Sequence, residues 1–245
     1  MIRGVDVSSH NGRQDWPALV AQGVRFAAVR VSSGRGADRT AAAHLEAARA
    51  AGVEVLLAYH YVTDAPAAEQ AEVFLGAVAA LEAQLGVDLG LALDLEDLPG
   101  HPPWPREPYE ATAREVCRLV REARRRPCGV YLSPEFARQL DLSWWWADCP
   151  LWLARWAPSP GAPPAPWGAI TIWQNAVTAG LDRDVFAGTV EELRAAFRIG
   201  TWSAPLATLG RVVEIGDATL PRDPTRAATV PPEGPVFPEE APGRP

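Results

Sequence analysis

Lysine is absent from this chain and methionine occurs once, so all 23 basic side chains are arginines. We read the missing lysine as the codon bias of a GC-rich genome rather than as chemistry. Cysteine is scarce. Cys117, Cys128 and Cys149 make an odd number with no CxxC pair, which argues for neither a disulfide framework nor a zinc cluster. Cys117 lies in a helical pattern and Cys128 opens an apolar run, so both read as core residues. No run of about 18 apolar residues occurs, so no membrane insertion is expected. The opening Met1-Ile2-Arg3-Gly4-Val5-Asp6 turns polar at once and lacks the apolar stretch of a signal peptide. There is no Walker motif, GxGxxG, HxH or HExxH, and Ser8, Ser9 and Ser33 have no nucleophile-elbow context. Neither a metal nor a cofactor is therefore expected. Positive charge is in deficit: the net charge is −7 and the pI about 5.2. That argues against a nucleic-acid or anionic-membrane surface.

What is present is a globular composition, with 48% apolar and 22% charged residues in 245, enough for a sizeable core. Ten tryptophans against four tyrosines is an unusual ratio. Short apolar runs, rich in β-branched and aromatic residues, predict strands over Arg3–Val7, Phe26–Val31, Val53–Tyr61, Leu89–Leu95, Gly129–Leu132, Leu151–Ala154, Ile170–Trp173 and Leu181–Phe186. Amphipathic or alanine-rich stretches predict helices over Arg39–Ala51, stopping at Gly52, Pro66–Leu85, stopping at Gly86, and Glu107–Arg125. Shorter helices fit Pro17–Gln22, Pro134–Gln139 and Val190–Phe197. Strands alternating with helices predict βαβ units and a parallel sheet. Eight strands point to a closed, modified TIM-type (β/α) barrel of the α/β class. The helices thin out after the fifth strand, and loops join the last three strands. Residues 201–245 hold nine of the 24 prolines. We therefore expect a barrel over residues 1–200 and a proline-rich extension or linker over 201–245, with one possible strand at Arg211–Ile215.

The acids fall where a barrel would use them. Asp6 closes the first strand, Asp94 and Glu96 close the fourth in Leu93-Asp94-Leu95-Glu96-Asp97, and Asp182 lies in the eighth. Polar residues at the C-terminal ends of barrel strands line the active-site face. A carboxylate inside an apolar strand is costly unless it is paired or used. Two apart on a strand, Asp94 and Glu96 point the same way at a spacing of ~6.6–6.8 Å along it. Like charges held close raise one pKa. The result is a protonated acid beside an ionised carboxylate, the pair that glycoside hydrolysis needs. The plainer reading is an ion pair of Asp94 or Glu96 with Arg30 or Arg155. Asp97 and Asp184 read as solvated loop acids.

Aromatic residues support a sugar cleft. Trp152, Trp156 and Trp173 fall at or just past the later strands, Tyr59 and Tyr61 end the third, and Tyr131 is in the fifth. Such rings suit a half-wet cleft and lie against the apolar face of a sugar. Core packing explains any single ring as well. Of Trp144-Trp145-Trp146, at least one must cover a loop or lie exposed. The histidines are His10, His44, His60 and His101, of which His10 and His60 fall at strand ends, where they could hydrogen-bond within the cleft.

The run Gly4-Val5-Asp6-Val7-Ser8-Ser9-His10-Asn11-Gly12 with Asp15-Trp16 resembles the opening of glycoside hydrolase family 25, the lysozyme-type muramidases. The likeness continues through Ala58-Tyr59-His60-Tyr61, Asp94-Leu95-Glu96, Tyr131, Leu151-Trp152-Leu153-Ala154, Trp173-Gln174 and Leu181-Asp182. It covers residues 1–198 in the family's order. Many members carry Lys-Ala-Thr-Glu-Gly on the second strand; here Arg30-Val31-Ser32-Ser33-Gly34 stands instead. The resemblance implies a modified (β/α) barrel with about five regular helices, and cleavage of the β-1,4 bond between N-acetylmuramic acid and N-acetylglucosamine, with net retention. It implies Glu96 as proton donor and Asp94 as the group that orients the acetamido or stabilises the sugar cation. Asp6 and Asp182 would be flanking acids. Tyr59, Tyr61 and Trp173 would be substrate contacts, and we add His60, Tyr131, Trp152, Trp156 and Gln174. The partner implied is the peptidoglycan glycan strand, met by a monomer that stays cytoplasmic until released by lysis (phage-type) or by non-classical export. Alternatives are a non-catalytic wall-sugar-binding barrel, a chitinase-like glycosidase, for which Ala92 stands where an acid is usual, and a metal-dependent amidase using His10, His60 and Asp94.

Overall fold

The computed structural model describes residues 1–97, 103–140 and 142–200. The extension over 201–245, its possible strand at 211–215, and His101 lie outside the described residues. Strands β1 (Ile2–Val7), β2 (Val24–Ser33), β3 (Gly36–Ala37), β4 (Val55–Tyr61), β5 (Gly90–Asp94), β6 (Cys128–Leu132), β7 (Leu151–Ala154), β8 (Ile172–Thr178) and β9 (Leu181–Phe186) form one sheet. Eight of them close through the β1–β2 pairing, while β3 is a two-residue ribbon on the edge of β2. The helices are α1 (Trp16–Ala21), α2 (Ala41–Ala51), α3 (Ala67–Leu85), α4 (Arg106–Arg124), α5 (Pro134–Gln139) and α6 (Val190–Ala196).

The helix ends follow local chemistry. The Asp15 carboxylate caps α1 by accepting from the Ala18 N–H at 3.0 Å, Ser133 caps α5 at Phe136, and Thr189 with Glu192 forms a capping box on α6. The last three barrel strands lack regular helical crossovers, as expected. The expected all-parallel sheet needs correction, because β9 runs antiparallel to both β8 and β1. Only Ala179 and Gly180 separate β8 from β9, with φ of 53° and 72°. Two central residues at positive φ make a hairpin turn. So short a link leaves no room for a crossover to a parallel strand.

Period-two alternation sorts every strand into an outward and an inward set. Outward residues such as Val29, Ala58, Leu91, Leu93 and Val130 join the inner faces of the helices in one large apolar layer. Inward residues form a second, smaller cluster: Phe26, Ala28, Leu57, Tyr59, Ala92, Trp152 and Ile172. The bottom of the barrel is plugged from α6, whose Leu193 and the following Phe197 are buried in this inner cluster. The plug needs glycine on the wall. A Cβ at Gly129 would sit 2.8 Å from Phe197 Cε1, and one at Gly90 would overlap Leu57. The interior is thus filled below with rings and aliphatic groups, and what lies above is open.

Candidate active site

At the C-terminal ends of the parallel strands a cleft of about 370 Å³ opens. Asp6 of β1, Tyr59 and Tyr61 of β4, Asp94 of β5 and the following Glu96 line it, with Tyr131 of β6, Trp152 of β7, Gln174 of β8 and Asp182 of β9. Trp156 stands at its rim, 67% exposed. All four expected acids and six of the eight expected contact residues are therefore together. The regular strand ends at Asp94 rather than Glu96, yet its alternation carries on. Leu95 is fully buried in the outer layer, and Asp94 and Glu96 on either side face the cleft.

His60 and Trp173 are not there. Tyr59 and Tyr61 turn inward, so the residue between them turns outward. His60 is fully buried against Phe74 of α3, its Nδ1 2.8 Å from Ser32 Oγ and its Nε2 3.1 Å from Gln70 Oε1. Burial lowers its pKa to about 4. Lying on the opposite side of the barrel wall from Asp94, it cannot join His10 and Asp94 in the metal set considered for an amidase. Trp173 lies between inward Ile172 and Gln174, and its Nε1–H donates outside the cleft to the Arg155 carbonyl at 2.7 Å.

Asp184 is the opposite correction. Read as a solvated loop acid, it is 1% exposed inside the barrel, where its Oδ1 accepts the Trp152 Nε1–H at 2.8 Å. The signal was present in Asp182-Arg183-Asp184: if one acid of that strand faces inward, so does the other. Asp97 is not merely solvated either. Arg106 grips both its oxygens, at 2.7 and 2.6 Å.

The inner wall is held by a polar chain. The Tyr131 hydroxyl donates to Gln174 Oε1 at 3.2 Å, and Gln174 Nε2–H donates to Asp6 Oδ2 at 2.9 Å. Tyr131 packs edge-on to Trp152, ring centroids 5.0 Å apart, as does Tyr59 at 6.0 Å. The Tyr61 hydroxyl donates to the Glu96 carbonyl at 3.1 Å, which fixes the backbone that carries the acid.

Five carboxyl groups thus converge, and among the described residues none is ion-paired. The expected alternative of an arginine partner fails. Arg155 turns to the Pro160 carbonyl, and Arg30, although it lines the cleft, gives its Nε–H to Asp38 at 3.1 Å and an Nη–H to Ser9 at 2.7 Å. No local pattern in the sequence marks Asp38 as the partner of Arg30. Burial, then the charges of Asp182 and Asp97, push Glu96 up to about 7. Burial and Asp182 push Asp6 to about 7 against the pull of its Gln174 hydrogen bond. Burial, Glu96 and Asp6 drive Asp94 well above the ordinary carboxylate range, and its Oδ1 is buried with no partner. This arrangement can keep one carboxyl protonated near neutrality beside others that carry charge, as general-acid chemistry requires.

Comparison with known proteins agrees with this geometry. In sequence the chain is similar to the N,O-diacetylmuramidase of Arthroderma benhamiae, 26% identical over 215 residues, 79% of this chain and 85% of that one. In structure it is similar to a muramidase from Acremonium alcalophilum, with a TM-score of 0.69 at 24% identity over 80% of this chain and 98% of the other. A family GH25 lysozyme from Aspergillus fumigatus gives 0.68 at 23% identity over the same shares. Residues 5–180 match Glycosyl hydrolases family 25, a stretch that contains Asp6, Asp94 and Glu96 and stops two residues short of Asp182. The chain belongs to glycosyl hydrolase family 25.

Proposed function

We propose that the cleft hydrolyses the β-1,4 bond between N-acetylmuramic acid and N-acetylglucosamine in peptidoglycan, with Glu96 as the proton donor. The observation that carries the reading is Glu96 itself. It lies at the cleft with a pKa raised to about 7, beside four further carboxyls that have no cationic partner among the described residues. A group of that kind still holds its proton when the leaving glycosidic oxygen needs one. Asp6 and Asp182 supply negative charge next to the oxocarbenium-like sugar that forms. Asp94 is deep enough to face the ring rather than the solvent, which suits orientation of the acetamido group. Tyr59, Tyr61, Tyr131, Trp152 and the exposed Trp156 offer ring faces and hydroxyls to the sugars. The Arthroderma relative's name, a muramidase, supports the same bond. The negative cleft gives no steering toward anionic wall polymers, so capture rests on shape and ring contacts.

The test is Glu96→Gln, assayed by release of reducing ends from purified peptidoglycan, with chitin as the control polymer. The variant keeps shape and loses the proton. We expect a fall in kcat of about 10³-fold, of the order a positioned general acid supplies, with the thermal midpoint preserved. Full activity in that variant overturns the assignment of Glu96, and release from chitin alone overturns the substrate.

A further inference from the structure

We propose that Asp184 is a positioning residue of this cleft: a proton-carrying carboxylic acid that donates a hydrogen bond to Asp6, anchors Trp152 through its other oxygen, and so presents Asp6 to the cleft as the anion. Register places it. Asp182 pairs across β1 with Asp6, whereas Asp184 pairs with Gly4, one step deeper into the barrel. It is 1% exposed against 8% for Asp6, and it does not line the open cleft.

The donor count then decides where the proton lies. Asp184 Oδ1 has the Trp152 Nε1–H at 2.8 Å. Its Oδ2 is fully buried, and among the described residues no N–H or O–H points at it. A buried carboxylate oxygen left this way is costly. What does stand beside it is the Asp6 carboxyl: Asp184 pairs with Gly4, whose inward side of β1 is also that of Asp6, so Asp6 is its diagonal neighbour across the β1–β9 pair and the largest charge acting on it. Two carboxyl groups bond only through a shared proton, because ionised carboxylates are acceptors alone. Asp6 already receives the Gln174 Nε2–H at 2.9 Å, and Gln174 is itself held by the Tyr131 hydroxyl. With the proton on Asp184, Asp6 accepts two donors and no buried oxygen is orphaned. With the proton on Asp6, Asp184 becomes the anion in the drier place with fewer donors. The titratable groups that face Asp184 are Asp6 across β1 and Asp182 on its own strand; Trp152 and Gln174 face it from β7 and β8 and do not titrate. Burial and the Asp6 charge both favour the neutral form of Asp184.

The inference rests on the glycosidase reading only for its kinetic readout, so a second readout needs no substrate. Asp184→Asn and Asp184→Leu are made in the full chain. Asparagine keeps an acceptor for Trp152 and offers an Nδ2–H to Asp6. Leucine keeps neither. We expect Asp184→Leu to lower kcat about 100-fold with KM within about threefold, and Asp184→Asn to recover most of that, to within about tenfold of wild type. Exchanging one neutral group for another, Asp184→Asn should leave the basic limb of the pH–rate profile where it is. The wild-type minus Asp184→Asn infrared difference spectrum at neutral pH should show the carbonyl band of a protonated carboxylic acid. A downward move of the basic limb by about one unit, or no such band, means that Asp184 is ionised and overturns the proposal. Equal kcat in the two variants overturns its positioning role. Should Asp184→Leu not fold, the limb and the band of Asp184→Asn decide alone. A wild-type protein inactive on peptidoglycan would refute the muramidase reading, and the infrared band would still judge this one.

Discussion

On the outer side of the barrel wall, His60 has both ring nitrogens partnered, and Gln70 satisfies the Thr63 N–H and the Thr63 and Ala65 carbonyls as well. On the inner side, a few ångströms of strand away, Asp94 Oδ1 and Asp184 Oδ2 are buried and receive no donor from the described residues. Both layers are built by the same alternation along the same strands. Burying a polar group costs free energy unless a partner replaces water. Around His60 and Gln70 the outer layer meets that condition and behaves as structure. The inner layer breaks it with five carboxyls in one place, and the electrostatic cost is stored as raised pKa values where a sugar would bind. The contrast teaches which buried polar groups hold the fold and which hold the chemistry.

The sharpest way to break that contrast is at neighbouring residues of β5. Asp94→Asn removes a desolvated acid from the inner side. We expect kcat to fall about 10²-fold while stability rises by about 1 kcal/mol, measured by reducing-end release and by denaturant midpoint. A fall in stability there would mean that Asp94 is structural after all. Leu93→Ala, one residue earlier and facing out, should do the reverse. Leu93 is fully buried, so its truncation should cost about 2–5 kcal/mol with kcat per folded molecule within about threefold. Gln70→Ala comes next. It strips partners from His60, Thr63 and Ala65 together, for an expected loss of about 1–3 kcal/mol and no change in the pH–rate profile.

Legibility in the sequence follows the range of the signal. β9 and α5 occupy the residues expected of them, Leu181–Phe186 and Pro134–Gln139, because alternation and capping are written within a few residues. The four acids Asp6, Asp94, Glu96 and Asp182 were legible because a carboxylate in an apolar strand has few reasons to be there. The misses came from facing rather than from location. His60 and Trp173 sit beside inward residues but face outward, while Asp184, which reads as a loop acid, shares the inward face of Asp182. The antiparallel direction of β9 was also local information, carried by the two-residue turn at Ala179-Gly180. The pairing of Arg30 with Asp38, by contrast, depends on how the β2–β3 ribbon folds back, and no spacing announces it.

The smallest expected effect is a change of slope, and it opposes the two layers directly. Glu96 has a folded-state pKa raised to about 7 from 4.5. Between those limits the folded chain holds a proton that the unfolded chain has released. Its contribution to stability is therefore complete at low pH and is lost as pH rises through about 7. His60 is lowered from 6.5 to about 4. Below 6.5 the unfolded chain takes up a proton that the folded chain refuses. Its contribution is complete above that value and is lost as pH falls toward 4. In wild type the two slopes oppose each other across mildly acidic pH and partly cancel. Glu96→Gln removes a falling slope, so its stability curve should tilt upward with pH relative to wild type. His60→Gln removes a rising slope, so its curve should tilt downward whatever its overall cost. Denaturant midpoints measured across the acid-to-neutral range give both tilts. Tilts of the same sign would mean that inner acids and outer imidazole are not the opposed pair their burial makes them.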